Sequence, residues 1–138
     1  MKEATPYLIF DGHCREAVTF YQQCLDAQLY MMPYSDMPGG APPGVTDRII
    51  HARLMKKGVP LLMASDSTPD KPVQQGNHVF ISLNCESAQE VERLFTALGE
   101  RGNAIMPVQE TFWAVRFGML TDRFGINWMF NFEKPKQA

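Results

Sequence analysis

Four side chains in this sequence can move protons or hold charge against apolar surroundings: His51, His78, Glu110 and Arg116. An imidazole changes charge near neutral pH, so His51 is a candidate general base and His78 a candidate ligand contact. Glu110 becomes a base if burial raises its pKa, and Arg116 can stabilise an oxyanion or a carboxylate. Each also has a plainer reading. His51 can be a hydrogen-bonded strand residue, His78 a solvated one, and Glu110 and Arg116 an ion pair. No HxH, HxxxH or paired-carboxylate spacing is present. The three cysteines, Cys14, Cys24 and Cys85, are odd in number and lack a CxxC spacing, so a disulfide framework or structural zinc site is not expected.

Composition narrows the partners. The chain has 138 residues, 45% hydrophobic and 20% charged, with a net charge of −2. These are the proportions of a soluble globular domain, expected in the reducing cytoplasm. No run of Lys or Arg points to nucleic acid, and no apolar run is long enough to span a membrane.

The elements that must position the candidates follow from periodicity. Pro6–Phe10 reads as a buried strand ending at Asp11-Gly12. Ala17, Phe20, Tyr21, Cys24 and Leu25 mark the apolar stripe of a helix over Cys14 to Leu25. Strands are predicted over 27–34, 48–57 and 59–65, with a Gly/Pro-rich loop over 35–47 and Gly58 at a turn. Asp66 then caps a polar connection over 66–77. The pattern restarts with a strand over 78–85 and a helix opened by the capping box Ser87-Ala88-Gln89-Glu90, ending near Gly102. A strand over 103–108 follows, then an aromatic-rich hairpin over 113–120 and 126–132, turned at Asp122 and Gly125.

The order is therefore βαβββ twice. Ala17, Phe20, Tyr21 and Cys24 map onto Val91, Leu94, Phe95 and Leu98 at a spacing of 74 (91 − 17), and Gly58 maps onto Gly125 at 67 (125 − 58). The expected fold class is α+β, with two βαβββ modules forming cupped mixed sheets and helices on the outer face. Module one spans about 5–66 and module two about 77–133 of one domain.

Pro6-Tyr7-Leu8, Phe20-Tyr21, Gln109-Glu110-Thr111-Phe112-Trp113-Ala114 and Thr121-Asp122-Arg123-Phe124-Gly125, with Trp128-Met129 and Asn131, carry a family resemblance. The chain resembles the vicinal oxygen chelate (glyoxalase/bleomycin resistance/dioxygenase) superfamily. Within it, it is similar to the PhnB-like branch, often labelled 3-demethylubiquinone-9 3-methyltransferase-like. The resemblance covers nearly the whole chain and implies a homodimer with a cup for a small-molecule ligand. Metal-dependent members hold the metal with His and Glu on the first and last strands of each module. Those positions fall here on Pro6, Leu62, His78 and Met129, so no four-ligand metal site and no cofactor is expected. A displaced divalent-metal site built from His51, His78 and Glu110 stays open, as does non-catalytic sequestration of the ligand. Methyl transfer is not expected, because no Gly-rich strand–helix turn of a parallel sheet is present.

Alternation along the strands assigns the faces. Tyr7, Ile9, Val79, Ile81, Leu83, Trp128 and Phe130 are expected against the helices. Leu8, Phe10, Leu62, Phe80 and Met129 are expected to line the cup, with His51, His78, Arg116, Asn127, Asn131 and Glu110 converging there. Trp113, at the strand entrance, is a candidate lid or dimer contact. The candidate site is thus His51 and Glu110 as catalytic groups, and Phe10, His78, Phe80, Trp113, Arg116, Met129 and Asn131 as ligand contacts.

Overall fold

The computed structural model describes residues 1–136 and divides into two units, Met1–Gln74 and Gln75–Ala138. In the first unit, β1 (Tyr7–Phe10), α1 (Cys14–Leu25), β2 (Gln28–Pro33), β3 (Ile49–Lys56) and β4 (Val59–Asp66) build a four-stranded sheet of order β1-β4-β3-β2. In the second, β5 (Ile81–Asn84), α2 (Ala88–Leu98), β6 (Asn103–Gln109), β7 (Ala114–Thr121) and β8 (Asn127–Glu133) repeat it as β5-β8-β7-β6. Each sheet is mixed: β1 runs parallel to β4 and β5 to β8, and the other pairs are antiparallel. The α+β duplication expected from the sequence is what the chain forms.

α1 covers the helix bounds expected for it, because Ala17, Tyr21, Cys24 and Leu25 of its apolar stripe are buried together with Val18, although Phe20 of that stripe is only half-buried. Its N-cap position, His13, makes no side-chain cap. Asp66 does that work from the end of β4. One carboxylate oxygen accepts from the amides of Gly12 (2.8 Å) and Cys14 (3.0 Å), and the other from Ile49 (2.9 Å). One buried side chain thus ties α1, β3 and β4 together. α2 is capped locally: Ser87 Oγ accepts from the Glu90 amide at 3.0 Å, and Glu90 reaches back to the Glu86 amide at 3.0 Å.

Two boundaries move. α2 ends at Leu98 rather than near Gly102, because the Gly99 amide closes onto Phe95 and Arg101 then takes a left-handed turn at φ 57°. Gly102 serves a close approach instead, since a Cβ there would sit 2.6 Å from the Thr121 carbonyl oxygen. β5 starts at Ile81 rather than His78. Before that point the Asn127 side chain, donating to Gly76 O and Val79 O (both 3.1 Å), holds the chain in place of a ladder.

The largest revision concerns the faces. Leu8, Phe10 and Leu62 lie on the helix side, with Phe10 and Leu62 only 4% and 1% exposed; Tyr7 and Ile9 lie on the open side, 43% and 44% exposed. A β-bulge explains the reversal of Leu62. Met55 pairs with Pro60 but Leu54 with Leu62, so β4 carries one extra residue there. A one-residue insertion turns every later side chain to the opposite face. β8 has no such bulge beside its turn: Leu120 pairs with Trp128 and Gly118 with Phe130. Beyond the bulge the equivalences shift by one, so Met63 matches Met129 (129 − 63 = 66), not Leu62. Each of these pairs with its module's first strand, Tyr7 with Met63 and Ser82 with Met129, which moves the first-strand equivalence to 75 (82 − 7).

Arg116 also changes face, because β3 and β7 match at 66 (119 − 53) and His51 is therefore equivalent to Phe117, not Gly118. Arg116 shares the parity of Gly118, whose α-carbon lies against the Phe95 ring of α2, and its Nε sits 3.7 Å from Glu92 Oε1 on that helix. Trp128 and Phe130 pack on the helix side as expected, Phe130 meeting Phe95 edge-on at 5.5 Å. His51, Asn127, Met129 and Asn131 lie on the open side, also as expected.

Candidate functional site

With the register known, each open face reads as a grid. Across the first sheet, one row runs Tyr7, Met63, Arg53, Tyr30. The next has Ile9 beside Ser65 and His51 beside Met32. Two of these side chains meet directly: Tyr7 Oη lies 3.2 Å from His51 Nδ1, and the two rings stack with centroids 5.8 Å apart. With the proton on Nδ1, the imidazole donates to the phenol and presents Nε2 as a free base. With the proton on Nε2, the phenol donates and the ring presents an N–H. Either way Tyr7 fixes the ring and leaves one imidazole nitrogen for a ligand.

Beside this pair, Arg53 lays its guanidinium 5.4 Å from the Tyr30 ring centroid. Toward the β3–β4 hairpin the same face deepens into a concavity of about 570 Å³. Its walls are Met55, Val59, Pro60 and Met63, with Lys2, Glu3, Thr5 and Arg53 supplying the polar rim. The hollow is open to solvent and mixed, with polar and apolar side chains in nearly equal share of its lining.

The second sheet offers different chemistry at equivalent positions. Its rows run Ser82, Met129, Met119, Met106 and Asn84, Asn131, Phe117, Gln109. Phe117 stands where His51 stands, and Met119 where Arg53 stands. Trp113 covers Phe117 edge-on at 5.2 Å, and Phe112, 88% exposed, meets Trp113 at 4.9 Å. The Asn131 side-chain oxygen is buried without a hydrogen-bond partner among the described residues.

The remaining sequence candidates scatter. Glu110 lies on the surface between β6 and β7, 3.4 Å from Lys134 Nζ. His78 is exposed ahead of β5, Phe80 is half-buried in the same segment, and Phe10 faces the helix. Arg116 joins Glu92, not Glu110. Tyr7, Tyr30 and Arg53 are the site residues that sequence reasoning missed. Arg53 was within reach, because it lies two residues from His51 on one strand and so shares its face.

The donor set does not fit a metal centre of the superfamily's kind. Pro6 and His78 lie outside the strands, Leu62 is buried on the helix side, and Met129 offers a thioether. The true open-face partners, Tyr7–Met63 and Ser82–Met129, carry no imidazole or carboxylate. Among the described residues no three His, Cys, Asp or Glu side chains group to hold an ion. Two of the three thiols, Cys14 and Cys85, are equally unsuited to neutral-pH nucleophilic chemistry. Burial, helped by the Asp66 charge, pushes Cys14 up to about 12; burial, helped by Glu90, pushes Cys85 up to about 11.

Comparison with known proteins fits this architecture. Residues 2–130 match the model of the family described as 3-demethylubiquinone-9 3-methyltransferase. The chain belongs to that family. Escherichia coli protein YjdN is 35% identical over 143 aligned positions, 96% of each chain. Among solved structures, PA1353 from Pseudomonas aeruginosa is 47% identical with a TM-score of 0.89, covering 98% of this chain and 100% of that one. The Bacillus cereus PhnB protein, a 3-demethylubiquinone-9 3-methyltransferase by description, is 25% identical with a TM-score of 0.80 over 95% and 99% of the two chains. The fosfomycin resistance protein FosX from Listeria monocytogenes, 10% identical, shares the fold with a TM-score of 0.66 over 97% and 94%. The family member described here is thus PhnB-like.

Proposed function

We propose that this PhnB-like protein binds a small organic molecule on the open face of its first sheet, with His51 as the group that exchanges a proton with it. The observation that carries the reading is the 3.2 Å contact between Tyr7 Oη and His51 Nδ1, on the same sheet face as a hollow walled by Met55 and Met63 and rimmed by charged side chains. A base needs a fixed ring and a free nitrogen, and this pair supplies both. Glu110, held at the surface by Lys134, is the weaker base candidate.

Methyl transfer, which the family's description names, finds little support in these elements. Typical methyltransferases seat their cofactor at a glycine-rich turn of a parallel sheet, where helix amides are free for an anion. Here the turn before α1 is closed by Asp66, which already takes the Gly12 and Cys14 amides. Location in the cytoplasm agrees with three cysteines that form no disulfide with one another. The described residues include no helix long and apolar enough to cross a membrane.

The reading is tested by screening small organic compounds by thermal shift on the wild type and on His51→Ala. A ligand at ~100 Kd should stabilise the native protein by roughly 2.7 kcal/mol. We expect His51→Ala to weaken hits at least several-fold and to abolish any turnover. Hits that stabilise both proteins equally would sink the assignment of His51.

We also propose a homodimer. Tyr7, Ile9, Tyr30 and Met32 are 43%, 44%, 53% and 49% exposed on one sheet face, and a second copy laid over them would enclose the site. Sedimentation analysis should give twice the chain mass at micromolar concentration; a monomer there would remove the proposal.

A further inference from the structure

We infer that the hollow at the hairpin end of the first sheet selects a small organic monocarboxylate, with Arg53 as its anchor. The inference rests on the open face being a ligand site and assigns that ligand its charge. Arg53 stands in the row Tyr7, Met63, Arg53, Tyr30, at the rim of the hollow. Its guanidinium lies over the Tyr30 ring, 5.4 Å from the centroid. An aromatic contact of this kind satisfies the cationic face and leaves the in-plane N–H fork for a carboxylate, which that fork matches in geometry.

The described residues do not already neutralise it. Their ion pairs join Arg48 to Asp11, Arg93 to Glu90, Arg116 to Glu92 and Lys134 to Glu110; Arg53 and Lys2 take part in none. The rim of the hollow therefore holds two cations, Lys2 and Arg53, against one carboxylate, Glu3. That excess of one positive charge suits a monoanion, and a dianion would leave charge uncompensated. The other walls, Met55, Val59, Pro60 and Met63, accept an apolar body. Methionine walls adapt to irregular shapes, so shape selection is weak and the anchor's charge sets the preference. Positive charge beside apolar walls distinguishes this hollow from the second sheet, where Met119 occupies the position of Arg53.

The test uses three probes of one shape: 3-phenylpropionate, 3-phenylpropanol and 3-phenylpropylamine. Each is titrated into protein labelled at the methionine methyl groups and followed by NMR. The carboxylate should move the Met55 and Met63 signals and saturate them at a concentration at least roughly tenfold below that of the alcohol, as expected for a charged hydrogen bond. The amine should be weakest. Arg53→Met should remove the preference for the carboxylate while leaving the alcohol's binding in place. Arg53→Lys should keep part of it, since the charge stays and the fork is lost. Arg53 is exposed, so both variants should fold, which far-UV circular dichroism confirms before titration. Equal binding of the three probes at Met55 and Met63, or a preference that survives Arg53→Met, overturns the inference alone. If no probe perturbs those two methyls, the ligand-site reading of the hollow falls with it.

Discussion

The two halves of this chain share a scaffold and differ in what it displays. On the first open face stand Tyr7, His51, Arg53 and Tyr30; on the second, Ser82, Phe117, Met119 and Met106 occupy the same grid positions. Ionisable and phenolic groups have gathered on one copy, while thioethers, a ring and amides fill the other. Duplication thus preserves what a module needs in order to fold, namely strand order, a helix on one face and the parallel first–last strand pair. It leaves the solvent-side positions free to diverge, because the helix-side core does not depend on them.

Each half also carries one buried aspartate as a knot, but ties it differently. Asp66 joins residues far apart in sequence: Gly12, Cys14 and Ile49. Asp122 works within its own hairpin, accepting from the Phe124 amide (2.8 Å), the Ile126 amide (3.0 Å) and the Trp128 indole N–H (2.9 Å). The first knot attaches a helix to a sheet. The second shapes a turn and orients the largest core side chain.

The sharpest way to break this comparison is to remove the knots. Asp66→Ala and Asp122→Ala should each cost about 3–5 kcal/mol in urea unfolding, since each strands three buried or half-buried donors. Asn should rescue neither, because both carboxylate oxygens act as acceptors and an amide would turn an NH₂ toward an N–H. The loss should spread differently. Amide exchange in Asp66→Ala should rise along the first turn of α1, whereas in Asp122→Ala it should rise in the β7–β8 turn. Equal, uniform acceleration in both variants would mean that the knots are not local devices.

A smaller effect tests the helix starts. Ser87→Ala removes the one side-chain cap on α2 and should cost about 1 kcal/mol. His13→Ala, at the corresponding position of α1, should cost a few tenths of a kcal/mol at most, because Asp66 caps that helix from the sheet. Comparable losses in the two denaturation curves would show that His13 has a role in capping which its geometry does not reveal.

Much of the fold was legible in the residues. The α1 stripe, the capping box at Ser87 and the turn chemistry at Gly58 and Asp122 are local signals, and local signals survive folding. The site was less legible. Alternation in the sequence puts His51, Met129 and Asn131 on the face they occupy, but puts Phe10, Leu62 and Arg116 on the wrong one. An extra residue in β4, opposite Leu54 and Met55, accounts for Leu62. Phe10 and Arg116 follow from matching β1 to β5 at 72 instead of 75 (82 − 7), and β3 to β7 at 67 instead of 66 (119 − 53). In Val59-Pro60-Leu61-Leu62-Met63 only Pro60, which lacks an N–H for the ladder, hints at a bulge, and every side chain there suits either face. Parity in a strand is a two-state variable, and one insertion inverts all that follows.

By itself the sequence determined the element order and the duplication, since these depend on periodicity and on caps that involve neighbours in the chain; the family resemblance rests instead on the motifs around Glu110–Ala114 and Thr121–Gly125. Only the tertiary structure decided which side chains share a face. That choice is made by pairing with strands up to 56 residues away, as Tyr7 pairs with Met63 (63 − 7), and by which face α1 covers. The meeting of Tyr7 with His51, and of Arg53 with Tyr30, follows from register across the sheet, a quantity no local pattern encodes.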